Sequence, residues 1–182
     1  MENNTEELKS NKTNDILVDL PPLNQEVKQK LSLAIYYESD LTLFYFNSIM
    51  DRFSKYFNNI FLISESLEKP EQLNNYENLS IVSSIDHDNF GSEWLMLLDT
   101  CEMPSLQLME NLQKVLDNMN PKTSVVKLPI VVCNPENGEI ITVLSPTPRM
   151  FRQKPQLLNN ENSELIITEY PLIKMSSTFE NN

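Results

Sequence analysis

Dense apolar runs alternate with polar stretches along the chain, and the period of each run predicts its element. Leu31-Ser32-Leu33-Ala34-Ile35-Tyr36-Tyr37 is short and almost continuously apolar, which predicts a buried strand. Glu38-Ser39-Asp40 closes it, and Ser39 and Asp40 are residues that cap helices. Leu41, Tyr45, Ile49, Phe53 and Phe57 then recur every four residues, with Leu43, Phe46 and Met50 filling the adjacent stripe. That spacing predicts a strongly apolar helix. Asn58-Asn59 ends it, and Ile60-Phe61-Leu62-Ile63-Ser64 predicts a second strand. Residues 65–78 form a polar loop containing Pro70, after which 79–85 predict a third strand. A loop at 86–91 leads to a fourth strand at 94–98. Pro104 and Ser105 open a helix with Leu108, Leu112, Val115 and Met119 on one face. Residues 125–133 predict a long strand and 139–144 its return, joined by the turn Asn134-Pro135-Glu136-Asn137-Gly138. Residues 149–152 and 165–167 are shorter strand candidates.

Strand, helix, three strands, helix and hairpin describe an α/β domain over residues 31–174, with a mainly parallel sheet and a C-terminal β-hairpin. Residues 1–30 are polar and predict a flexible arm. Their one apolar island, Ile16-Leu17-Val18-Asp19-Leu20, ends at Pro21-Pro22 and reads as a patch folding back on the domain, as a docking peptide or as an edge strand. Residues 175–182 predict a loose tail.

Composition narrows the chemistry. With 26 acidic and 14 basic residues the chain carries a net charge of −12 over 182 residues. Such a surface repels phosphate backbones and anionic bilayers, which argues against nucleic-acid and membrane partners. No run reaches the roughly 18 apolar residues of a membrane span, and no secretory signal is legible. Cys101 and Cys133 are too few for a disulfide framework and read as reduced thiols, so the expected location is cytoplasmic. Gly91 and Gly138 are the only glycines. A P-loop or a dinucleotide cradle needs more, which removes both classes. His87, the single histidine, lies in Asp86-His87-Asp88, where loop polarity explains it as well as metal binding does.

The fourth strand runs straight into acid: Trp94-Leu95-Met96-Leu97-Leu98-Asp99-Thr100-Cys101-Glu102. In an open α/β sheet ligands gather beyond the carboxyl ends of strands, so Asp99 and Glu102 are candidate ligands for Mg²⁺ or Mn²⁺. The polar end of a buried strand is the competing reading. Arg149 and Arg152 are candidate phosphate contacts, or equally partners for acidic neighbours.

The segment order over residues 31–152 resembles the GT-A glycosyltransferases of inverting family 2. LSLAIYYESDLTLFYFNSIMDRF looks like that family's first strand, turn and long helix, and NNIFLIS like its second strand. EWLMLLDTCEMPSLQLMENLQKVLD is similar to its strand, Asp-x-Asp-Glu turn and following helix, with Cys101 in place of the second Asp. Thr147 to Arg152, TPRMFR, resembles an Arg-Leu-Phe-Arg segment of some members. The resemblance implies a three-layer nucleotide-diphospho-sugar transferase fold and transfer of a sugar from a nucleotide sugar. Asp99 and Glu102 would hold Mg²⁺ or Mn²⁺, with Asp99, Arg149 and Arg152 meeting the donor. The general base would come from Glu169, with Glu164 beside it in ENSELIITEYPLI, although both also read as a solvated strand edge. A thiol at Cys101 is a poor ligand for a hard cation. The turn after the second strand, SESLE, lacks the family's Asp and Gly. The alternative expectation is therefore a non-catalytic protein that uses the GT-A scaffold for interaction or assembly, through a protein partner or a homo-oligomer.

Overall fold

A computed structural model of the chain describes residues 23–37, 43–65, 71–85, 90–99, 101–153 and 163–176. Three α-helices, a short 3-10 helix at Glu71–Leu73 and nine strands form within them. In chain order the α-helices and strands are α1 (Gln25–Lys30), β1 (Leu31–Tyr36), α2 (Leu43–Tyr56), β2 (Ile60–Ile63), β3 (Leu79–Val82), β4 (Trp94–Asp99), β5 (Glu102–Pro104), α3 (Leu106–Asp117), β6 (Thr123–Cys133), β7 (Ile140–Arg152), β8 (Ser163–Ile166) and β9 (Leu172–Met175).

The strands join in one mixed, open sheet in the order β3-β2-β1-β4-β7-β6-β9-β5, with β8 on β6. Its first half is a parallel block. Leu33 faces Ile60 across β1 and β2, Ile60 faces Leu79 across β2 and β3, and Leu31 faces Trp94 across β1 and β4. The helix α2 supplies the crossover that parallel neighbours require. Beyond β4 the sense changes. β7 runs antiparallel to both β4 and β6, and β9 pairs parallel to β6 and antiparallel to β5. The sheet is thus mixed where the pattern of short strands predicts a mainly parallel one.

Alternate side chains explain the packing. Leu31, Leu33 and Ile35 of β1, Ile60 and Leu62 of β2, and Trp94, Met96 and Leu98 of β4 join one core. Val27 of α1, Met50 and Phe53 of α2, and Leu108, Leu112 and Leu116 of α3 enter the same core. The opposite face of the parallel block carries a smaller cluster of Ala34, Ile63, Phe90 and Leu95. The buried Ser32 on that face donates to the Phe90 carbonyl at 2.9 Å, which satisfies its hydroxyl.

Several boundaries differ from the sequence reading. Residues 25–30 form a helix, and Leu23 and Val27 are core residues rather than parts of an arm. Asn24 caps that helix by accepting the Val27 N–H at 2.8 Å. Residues 102–104 form β5, so the helix opens after Ser105. The two strand candidates at 139–144 and 149–152 are one continuous β7. Met175, assigned to the tail, is buried at the end of β9. The island at 16–20, the Asp86-His87-Asp88 loop and the side chains at 41–49 lie outside the described residues.

Candidate functional site

The acidic turn is positioned by two strands that end beside each other. β4 delivers Asp99 next to Tyr36 at the end of β1, and β5 begins three residues later at Glu102. In the sheet order β5 nevertheless stands four strands from β4. The β7-β6-β9-β5 half therefore bends round until β5 returns beside the end of β4. β7 leaves β4 after Met150, and Arg149 is the next residue along. The cluster sits in the gap thus opened.

Glu102 is the centre of it, with a side chain that has 0% exposure. Its Oε1 accepts from Arg149 Nη2 at 2.9 Å and its Oε2 from Arg149 Nε at 3.0 Å. The same Oε2 accepts the Asp99 N–H at 3.0 Å, which ties off the turn. This is a bidentate fork in a desolvated setting, the strongest kind of arginine–carboxylate contact. Asp99 is more open, with a side chain 41% exposed, and its Oδ2 lies 3.4 Å from Lys174 Nζ and 3.6 Å from Arg149 Nη2. Lys174 arrives on β9 directly opposite Glu102. Two carboxylates thus face two cations, and the cluster is neutral.

Of the expected site residues the structure brings Asp99, Glu102 and Arg149 together, and it adds Lys174. Arg152 stands at the other end of β4, opposite Trp94, about 17 Å along the strand from Asp99 at roughly 3.3 Å per residue. There its Nη1 donates to the carbonyls of Asn120 and Pro121, at 3.2 and 2.6 Å. Its Nη2 pairs with Glu93 at 3.1 Å, and the guanidinium lies 4.6 Å from the centre of the Trp94 ring. Arg152 is a clamp on the amino end of β4 and does not reach a donor bound near Asp99. Glu169 is exposed in the connection between β8 and β9, five residues before Lys174. Glu164 is ion-paired with Lys127.

The donor set fits a divalent cation poorly. Both oxygens of Glu102 are committed to Arg149 and to a backbone N–H, and the Asp99 oxygen nearest the cluster already faces two positive groups. Mg²⁺ or Mn²⁺ would have to displace a partly buried guanidinium and then sit beside it. Among the described residues no three His, Cys, Asp or Glu side chains gather as a metal site.

Two other places hold reactive or polar groups. Burial pushes the Cys133 thiol up from its ordinary value. A hollow lined by Lys28, Lys55, Asn58, Asn75 and Asn78 is open to solvent. Its polar groups are used to finish α2. Asn78 Nδ2 donates to the Phe57 and Ser54 carbonyls at 2.6 and 3.1 Å, and Lys28 Nζ to the Lys55 carbonyl at 2.7 Å. No helix of the described residues is long and apolar enough to cross a membrane. No protein-family model and no curated protein matches the chain.

Proposed function

We propose that this chain is a non-catalytic binding module built on a GT-A-like α/β frame. One observation carries the reading. The position at which a nucleotide-sugar transferase of the resembled family would hold its metal is filled by the Glu102–Arg149 fork. A carboxylate buried and bonded in this way holds the β4–β5 turn and β7 together, and three of its roughly four acceptor sites are taken before a diphosphate-bound cation could reach it. The frame supports the likeness: a parallel block with a crossover helix, the acidic turn beyond its carboxyl ends, and an antiparallel hairpin alongside. The chemistry of the site supports loss of the reaction.

The second reading, a working transferase, draws on the exposed Asp99 side chain at the carboxyl end of β4. Calorimetry of the purified chain with UDP-, GDP- and CDP-sugars, with and without Mn²⁺, separates the two. Silence across the panel from folded protein is the expected result. Metal-dependent heat with one nucleotide class, lost in Asp99→Asn, would establish the transferase reading instead.

A further inference from the structure

Among the described residues, the outer half of β7 is a strand edge with no neighbour beyond it. Residues 140–144 pair with 130–133 of β6 on one side. On the other side no strand among the described residues pairs with them, because β4 meets β7 only at residues 150–152. About half of the N–H and C=O groups over this stretch therefore point away from β6. Four of its five side chains are apolar, and they are open on both faces: Ile140 is 65% exposed, Ile141 55%, Val143 60% and Leu144 42%. From Ile140 to Pro148 there is no charged residue, and the first proline is Pro146. Natural sheets blunt such edges with lysine, proline or an inward charge, and this one carries none of these over Ile140 to Ser145.

The charge around the edge selects its occupant. Glu136 and Glu139 are exposed at the hairpin tip, and no cation of the described residues pairs with either. The chain as a whole carries −12, so a second copy meets long-range repulsion while a cationic strand is drawn in. We propose that the β7 edge from Ile140 to Ser145 is a strand-addition site for an extended segment of a basic partner protein, with apolar side chains alternating with lysine or arginine. Backbone pairing would supply affinity, and the apolar positions flanking Val143 would supply register. The inference rests on the binding-module reading and names its surface.

The test uses the full chain and a capped nine-residue peptide of alternating valine and lysine, followed by fluorescence anisotropy. Its controls are the valine–glutamate peptide and the valine–lysine peptide with a central proline. Saturable binding of the first peptide alone is expected, with amide-exchange protection rising at Ile140 to Ser145. Val143→Lys should weaken it at least about tenfold, or about 1.4 kcal/mol, while Val143→Ile keeps it. Val143 is exposed, so an unchanged unfolding midpoint shows that either variant is folded. No binding at about 1 mM peptide, equal binding of the acidic peptide, or protection elsewhere overturns the proposal. So does a dimer seen by sedimentation that Val143→Lys dissolves, which would make a second copy the occupant. Nucleotide-sugar heat alongside edge binding would remove only the non-catalytic reading, and silence in both would remove the edge alone.

Discussion

At the scale of the residue, the decisive contact is Glu102 with Arg149. Arg149→Ala leaves a carboxylate buried without its partner and should lower stability by about 3–5 kcal/mol in urea unfolding. Glu102→Met combined with Arg149→Leu should recover most of that loss, because the pair is removed together with its desolvation cost. Gly91 has φ +75°, and a Cβ there would come within 3.2 Å of Asn59 Nδ2. Gly91→Ala should therefore cost about 1–2 kcal/mol in the same measurement. Tyr76 donates its hydroxyl to Asp51. Burial first and then that hydrogen bond push its pKa from 10.0 up to about 12. The unfolded chain loses the phenol proton first as pH rises, so stability should fall between about pH 10 and 12. Tyr76→Phe should flatten that part of the profile, as read by unfolding midpoints across the range.

At the scale of the element, short sequence signals are answered by specific bonds. Ser105 caps α3 by accepting the Leu108 N–H at 3.1 Å. Ser105→Ala should cost about 0.5–2 kcal/mol, read from the same unfolding curves, since that donor would be left unpaired near the core. α3 then buries Leu108, Met109, Leu112 and Leu116 as its spacing requires. Residues Val115 and Met119, assigned to the same face, are partly buried and buried. β7 shows the opposite case. Ser145-Pro146-Thr147-Pro148 reads as a break between two strands, yet the strand runs through it, with pairing to β6 shifted between Leu128 and Ile130. Irregular register accommodates the prolines, and no turn forms.

At the scale of the molecule, the acidic excess and the divided sheet set the behaviour. A net charge of −12 repels itself, so the thermal midpoint should rise as salt goes from about 0.01 to about 0.1 M and the screening length shortens. The core spans both halves, from Leu33 and Met96 of the parallel block to Val126, Leu128, Met150 and Leu172, while the β7-β6-β9-β5 half bends back to bring β5 to the end of β4. That bend closes the acidic turn with cations from β7 and β9, and among the described residues it leaves the outer β7 edge without a neighbouring strand. Closure of one site and exposure of the other follow from a single departure of β7 from β4.

Local periodicity in the chain determined the parallel half. β1, β2 and β4 are declared by short, nearly continuous apolar runs, and α2 and α3 by apolar residues four apart, signals that lie within the element itself. Asp99 and Glu102 were legible for the same reason, as the polar close of an apolar run. Only the tertiary structure decided what those carboxylates do. Arg149 lies 47 residues from Glu102, and Lys174 lies 75 from Asp99. Lys174 carries no local signal that could have found it. Such pairings depend on the register of strands that meet late in the chain and on a bend in the sheet. No window of neighbouring residues encodes either, and so the sequence could offer Arg149 as a partner for some acidic neighbour without naming Glu102, and gave no sign of Lys174.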